Sequence, residues 1–248
     1  MQDAFVRIGI ALLTVCALGA IGAADEPQNE LASVKGVVSV VRKTKGAVDN
    51  GEVAIWLTRV LEPGQERSEN PAPRARLKIV QQNKRFEPRL LVVPVGSVVE
   101  FPNLDPFFHN VFSMFDGKRF DLGLYEAGTS RSVPFATPGV CYIFCNIHPE
   151  MSAVVVVVDT PYFAVTNRAG EFTVPNVPPG RYVLSVWHER HKPERPKEFP
   201  RDLTIGSAST SVGVIRLIES NEVIASHKNK YGNDYNPPRP STPVYKDQ

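Results

Sequence analysis

The feature that most constrains the fold is the alternation of short β-branched segments with turn residues. Segments such as RLLVVPVG (89–96) and AVVVVVD (153–159) are bounded by Gly, Pro, Asn and Asp. The turn residues recur at intervals of about eight to twelve positions. Between them no segment has the apolar period of about 3.6 residues that marks a helix. The pattern predicts an all-β chain built as a Greek-key sandwich or barrel.

The first 24 residues have the composition of an export signal. One positive charge, Arg7, precedes an apolar run from Ile8 that ends in the small residues of GAAD. The run is short for a membrane span, so we expect cleavage near Ala24 rather than an uncleaved anchor. A lipoprotein signal at Cys16 is disfavoured because Val15 precedes it where a small residue is required. We expect a periplasmic or otherwise exported protein, with no stable membrane span after cleavage.

The charge balance bears on the partners. The chain has 28 basic and 26 acidic residues, a formal net charge of +2. This near balance gives no reason to expect nucleic acid or an anionic membrane surface as a partner.

The motif that carries chemistry is CNIHPEM, in which Cys145, His148 and Met151 stand three residues apart. His109 lies upstream in FFHNVF. A thiolate, two imidazoles and a distant thioether are the ligands of a mononuclear blue-copper site, since sulfur stabilises Cu(I) and imidazole suits both oxidation states. The motif predicts one type 1 copper per chain. Asn110 is placed to hydrogen-bond the loop that carries Cys145 and so to fix the ligand geometry.

Signal cleavage would leave only Cys141 and Cys145. If both lie on one strand, their Cα atoms are roughly 13 Å apart, whereas a disulfide tolerates at most about 7 Å. Unpaired thiols are unusual in an oxidising compartment, and metal ligation is one way to occupy a thiol. The spacing also approaches the C-x3-C-x3-H-x2-M pattern of binuclear copper sites, but one residue is missing before His148. We expect Cys141 to be buried and not to bind metal.

Residues 75–158 resemble a cupredoxin of the plastocyanin and amicyanin kind. VPVGSVVEFPNLDPFFHNVF resembles that family's strand pair with its His-Asn-Val ligand segment, and PGVCYIFCNIHPEMSAVVVV resembles its closing ligand loop. The resemblance implies a Greek-key β-sandwich with His109 and His148 as equatorial ligands, Cys145 as the thiolate and Met151 as the axial ligand. It also implies that His148 is the partly exposed ligand through which electrons enter and leave.

The flanking segments resemble a transthyretin-like or carboxypeptidase-regulatory β-sandwich. Its pattern begins in residues 34–57 and resumes in AVTNRAGEFTVPNVPPGRYVLSVW, residues 164–187. The whole chain also resembles plastocyanin-like proteins labelled methylamine utilisation proteins. The resemblance implies a cupredoxin inserted into a second, small Ig-like sandwich. The expected divisions are a signal peptide at 1–24, the first part of the Ig-like sandwich at 32–62, a linker at 63–74, the cupredoxin at 75–158, the second part of the Ig-like sandwich at 160–220 and a disordered tail at 226–248.

These observations predict one-electron transfer between a donor and an acceptor protein that the sequence does not identify, with no enzyme activity. The alternatives are a copper-binding or copper-delivery protein and a non-redox adhesive module. Zinc is disfavoured because Met is a poor ligand for it. A hydrolase with Cys145 as nucleophile lacks a recognisable oxyanion hole. With five His in total, the chain cannot build a trinuclear copper site alone.

Two further groups of residues are candidates for a functional role. Phe107, Phe108 and Pro149 fit either an apolar docking surface around His148 or positions in the core. The HERH stretch, with His188 and His191 beside a Pro-rich charged turn, is disfavoured as a second metal site.

Overall fold

The computed structural model describes residues 31–41, 50–64, 77–114, 118–191, 199–220 and 228–235. In these ranges all regular structure is β, so the predicted fold class is confirmed. None of the described residues belongs to a helix with the length and apolar character needed to cross a membrane. The predicted signal peptide, the linker from residue 65 and the tail beyond residue 235 lie outside the described residues.

The strands are β1 Ala32–Val41, β2 Ala54–Arg59, β3 Leu77–Lys78, β4 Val80–Gln82, β5 Arg85–Glu87, β6 Leu90–Pro94, β7 Ser97–Pro102, β8 His109–Ser113, β9 Phe120–Tyr125, β10 Ser130–Phe135, β11 Gly139–Phe144, β12 Ser152–Val158, β13 Phe163–Val165, β14 Glu171–Val177, β15 Gly180–Trp187, β16 Arg201–Ile205 and β17 Thr210–Ile218.

Two sheets combine strands from both ends of the described chain. One has the order β14-β1-β17 and the other β13-β2-β15-β16. β1 pairs antiparallel with β14 and parallel with β17, while β2 pairs antiparallel with β13 and β15. The side chains between the two sheets form one buried cluster, with Leu57 and Tyr182 among its largest fully buried members. These two sheets pack as a small sandwich around that cluster.

In the described ranges, β3 to β12 pair only with one another. They form sheets of order β6-β12-β11-β8-β9 and β10-β7-β3, together with the β4-β5 hairpin. The core between these sheets contains the aromatic rings of Phe101 and Phe135, and it also contains Cys145 and Met151. The cysteine and methionine of the ligand motif are therefore part of the core of this second sandwich.

The valine run of β12 is buried on both faces of its sheet. Val155 and Val157 face the core that contains Cys145. Val154 and Val156 belong to a third buried cluster, in which they pack with Trp56 of the other sandwich. A strand covered on both faces reads as a continuous apolar run rather than an alternating one, which explains the sequence AVVVVV. The two sandwiches thus share an apolar layer.

Candidate metal centre

The strand pairing brings the ligand residues of the motif together. His109 is the first residue of β8, and β8 runs antiparallel to β11 with Phe112 opposite Phe144. The segment after β11 therefore returns past His109. The Cys145 Sγ lies 3.9 Å from the His109 Nδ1 and 3.7 Å from the His148 Nδ1.

These three residues form the one group of at least three His, Cys, Asp or Glu side chains among the described residues whose ligand atoms lie within 4.8 Å of one another. Metal–sulfur and metal–nitrogen bonds to a first-row ion such as zinc are about 2.3 and 2.0 Å. Two such ligands at an angle of 110 to 120° around one ion lie about 3.5 to 3.7 Å apart. The distances from the Cys145 Sγ are close to these values, so the three residues fit a shared metal ion without large movement.

The loop that carries the motif is closed by its own backbone. The Met151 N–H donates to the His148 carbonyl at 3.0 Å, and the Cys145 N–H donates to the Met151 carbonyl at 3.3 Å. Met151 is fully buried in the same cluster as Cys145. The loop therefore places the thioether side chain on the core side, in the same buried cluster as the thiol.

Backbone N–H groups surround the Cys145 sulfur. Burial raises the pKa of the Cys145 thiol, although N–H groups of Ile147, Asn110 and His148 donate to the sulfur and oppose that rise. Burial and the neighbouring His109 lower the pKa of His148. A neutral imidazole offers a nitrogen lone pair, and hydrogen bonds to a cysteine sulfur tune the potential of a copper–thiolate site.

Asp105 is a functional candidate that the sequence reasoning missed. Its Oδ2 lies 2.7 Å from the Nε2 of the fully buried His109. It also accepts hydrogen bonds from the Asn83 N–H at 2.7 Å and the Lys84 N–H at 2.9 Å. Burial alone would raise the pKa of Asp105, but the bonds from Lys84, His109 and Asn83 outweigh it and hold that pKa below its usual range.

A carboxylate on the outer nitrogen of a ligand histidine fixes the ring orientation and its tautomer. With Nε2 donating to Asp105, the Nδ1 of His109 keeps its lone pair directed toward Cys145. The Asp four residues before His109 in LDPFFH was the available sequence signal. Its contact also depends on the turn at Asn83 and Lys84, which lies far away in sequence.

Asn110 links the first ligand strand to the ligand loop. Its Oδ1 accepts a hydrogen bond from the Asn146 N–H at 3.3 Å, and its Nδ2 donates to the Asp121 Oδ1 at 2.7 Å. The side chain is 1% exposed. It thus connects strands β8 and β9 to the loop after Cys145.

The last described segment, residues 228–235, contacts the same loop. The Lys230 N–H donates to the Asn146 Oδ1 at 3.0 Å, and the Tyr235 hydroxyl donates to the Cys145 carbonyl at 2.9 Å. Residues 228–235, which lie in the expected disordered tail, thus make defined contacts with this loop. These contacts are hydrogen bonds rather than apolar burial.

Apolar side chains surround the partly exposed His148. The Phe107 ring lies 5.2 Å from the His109 ring and 5.8 Å from the His148 ring, measured between centroids. Phe107 is 37% exposed and Phe108 54%, and Pro149 is also exposed. Of the two interpretations weighed for these residues, the structure favours the surface position.

Other residues weighed from the sequence lie apart from the cluster. Cys141 is buried on β11, and its thiol donates to the Ser113 Oγ at 3.4 Å. His188 and His191 lie at the two ends of a turn after β15, closed by a hydrogen bond of 3.0 Å from the His191 N–H to the His188 carbonyl. Among the described residues, none of these three is a member of a group that could hold a metal with three ligands.

No family model matches the chain, and no curated protein matches it. Among solved structures, a reduced Cu(I) form of an amicyanin variant is 23% identical and has a TM-score of 0.33; the match covers 34% of this chain and 83% of amicyanin. An oxidised amicyanin variant is 22% identical, with 34% and 82% covered and a TM-score of 0.32. A purple cupredoxin from Nitrosopumilus maritimus is 26% identical, with 33% and 99% covered and a TM-score of 0.30. All three are cupredoxins, and each match covers about a third of this chain.

Proposed function

We propose that this protein is an exported type 1 copper protein that transfers single electrons between a donor and an acceptor protein. The observation that carries the proposal is the convergence of the His109 Nδ1, the Cys145 Sγ and the His148 Nδ1, with Met151 buried in the same core cluster as Cys145. A soft thiolate with two imidazoles and a thioether is the donor set that copper prefers in such sites. Copper, when bound, supplies the Cu(II)/Cu(I) couple.

The residues around the ligands hold them in one arrangement. Asp105 orients His109, while Asn110 joins the ligand loop to β8. Cys145 and His109 are both 0% exposed, so water does not reach them. A site that is fixed and dry favours electron transfer because little has to move when the charge of the centre changes.

The surface near His148 supports a docking role. Ile147, the residue before His148, is 44% exposed, and the 37% exposed Phe107 has its ring centroid 5.8 Å from that of His148, the one partly exposed imidazole of the cluster. Apolar patches around a functional group mark contact sites for other proteins. In this proposal a redox partner approaches there, and His148 provides the route for the electron.

The environment of Cys145 argues against the enzyme alternative. A nucleophilic cysteine needs a lowered pKa and access to substrate. The Cys145 thiol is fully buried, and burial raises its pKa. We therefore propose that the chain has no substrate of its own. Copper delivery calls for ready release of the ion, which the enclosed site does not favour.

The test is the visible and electron paramagnetic resonance spectrum of the copper-free mature protein after addition of one equivalent of Cu(II). We expect an intense band in the red part of the visible spectrum, bleached by ascorbate and restored by an oxidant. Cys145→Ser should abolish the band, while Cys141→Ser, which changes the other buried thiol, should retain it. Met151→Gln should lower the reduction potential with copper still bound.

A colourless protein, or one that reduces Cu(II) and then loses the ion, would contradict the proposal. Rapid loss of Cu(I) to a competing protein would instead support copper delivery. A wild type that binds no copper would leave the adhesive module as the better interpretation.

A further inference from the structure

The end of the described chain, residues 228–235, has a defined local structure. The Asn229 Oδ1 accepts hydrogen bonds from the Tyr231 N–H at 2.9 Å and the Asn233 N–H at 3.1 Å. The Gly232 N–H donates to the Asn229 carbonyl at 2.9 Å, and Gly232 has a φ of 79°. Asn at such a position stabilises a turn through its side chain. The turn presents Lys230 to the metal centre.

Lys230 completes a closed ring of hydrogen bonds with the ligand loop. Its N–H donates to the Asn146 Oδ1, and the Asn146 N–H donates to the Asn110 Oδ1. The Asn110 Nδ2 then donates to the Asp121 Oδ1, and the Asp121 Oδ2 accepts from the Lys230 Nζ at 2.7 Å. The ring thus joins the residue after Cys145, the residue after His109, strand β9 and residues 228–235.

The ion pair in this ring is partly shielded from water. The side chain of Lys230 is 20% exposed and that of Asp121 is 29% exposed. The hydrogen bond that Lys230 donates to Asp121 raises the pKa of Lys230. Burial alone would raise the pKa of Asp121, but the bonds from Lys230, Asn110 and Gly123 outweigh it and lower that pKa. Both groups are therefore charged at neutral pH, and charge-assisted hydrogen bonds are stronger than neutral ones.

Tyr235 makes a second, separate contact with the loop. Its hydroxyl donates to the backbone carbonyl of Cys145 at 2.9 Å. This carbonyl belongs to the residue whose sulfur faces both imidazoles. A fixed carbonyl restricts the backbone rotation that would swing the sulfur away from them.

We propose that residues 228–235 form a structural part of the metal centre, in which Lys230 and Tyr235 are positioning residues for the loop that carries Cys145 and His148. This inference rests on the proposed copper site, and it adds a segment that lies 84 and 90 residues beyond its contacts in sequence. Outer partners of metal ligands change metal affinity by about ten- to a hundredfold when removed. We expect removal of the Lys230 and Tyr235 contacts together to lower metal affinity by a similar factor.

The experiment compares wild type with Tyr235→Phe, Lys230→Ala and the double variant. Lys228→Ala is the matched control, because Lys228 is an exposed lysine of the same segment. The first readout needs no copper. It is the rate of amide hydrogen exchange at Asn146 in the copper-free protein, measured by nuclear magnetic resonance. The second is the rate at which a Cu(I) chelator removes the ion from the reduced protein.

We expect the double variant to exchange the Asn146 amide at least tenfold faster and to lose copper about ten to a hundred times faster. Each single variant should lie between the double variant and wild type, and Lys228→Ala should behave as wild type. Equal exchange and equal copper loss in all variants would overturn the proposal. Tyr235→Phe removes one hydroxyl from a part-buried site, so it keeps the test valid should the double variant unfold.

The two readouts separate this inference from the proposed function. Faster exchange in a protein that has no type 1 spectrum would support the positioning role and contradict copper electron transfer. If the wild type has a type 1 spectrum and the variants are indistinguishable from it, copper electron transfer is supported and the positioning role is contradicted.

Discussion

Replacing Asp105 by Asn should weaken both copper binding and the fold. The carboxylate accepts three hydrogen bonds, from the Asn83 and Lys84 N–H groups and from the His109 Nε2. An asparagine amide has one oxygen that accepts and one nitrogen that only donates. At least one of the three donors would therefore face another donor.

The expected losses of folding stability and of copper affinity depend on which hydrogen bond is lost. A buried donor left without an acceptor costs about 1 to 3 kcal/mol, which is the expected loss in the free energy of unfolding of the copper-free variant. If the amide nitrogen faces His109, the ring is favoured in the tautomer with a proton on Nδ1, the atom that faces Cys145. Loss of such a partner lowers metal affinity about ten- to a hundredfold, or about 1.4 to 2.7 kcal/mol.

The assays are chemical denaturation of the copper-free protein and competition for copper with a chelator of known affinity. Asp202→Asn on β16 is the matched control, since Asp202 is exposed and lies in the other sandwich. It should change neither quantity. Wild-type copper affinity in Asp105→Asn, at any stability, would refute the assignment of Asp105 as the residue that orients His109.

Three further predictions concern residues outside the ligand set. Cys141→Ala should keep the full copper absorption band, because Cys141 packs in the core and its thiol contacts Ser113 rather than the ligands; loss of the band would favour a binuclear centre. Gly170→Ala should reduce the free energy of unfolding by at least about 2 kcal/mol, since Gly170 has a φ of +86° and an added Cβ would lie 2.0 Å from the Val38 carbonyl oxygen. The copper absorption band of the folded fraction of Gly170→Ala should not change. Burial lowers the pKa of His188, so the unfolded chain takes up a proton near pH 6.5 while the folded chain does not. The free energy of unfolding should therefore decrease as the pH falls from about 6.5 toward 5, by no more than about 1.4 kcal/mol per pH unit. Denaturation curves of His188→Gln should lack this decrease.

The candidate ligands could be singled out from the sequence because three of them, Cys145, His148 and Met151, lie in one short loop, where spacing alone carries the information. The continuous valines of β12 likewise indicated a strand, although not that the second buried face packs against Trp56 of the other sandwich. Asp105 was missed because its role depends on a turn about twenty residues earlier in the chain, brought near by folding. Lys230 and Tyr235 were missed because polar composition predicts disorder when only apolar burial is counted.

The shared apolar layer connects the second sandwich to the metal centre. β12 begins directly after Met151, and its first residue, Ser152, pairs with Phe144 at the end of β11. The ligand loop is therefore anchored by one pair of strands at both of its ends. Because β12 is buried by its own core on one face and packs with Trp56 on the other, it cannot shift without disturbing both sandwiches. Close-packed interiors transmit strain rather than absorb it, so the second sandwich adds rigidity to the frame that holds Cys145, His148 and Met151.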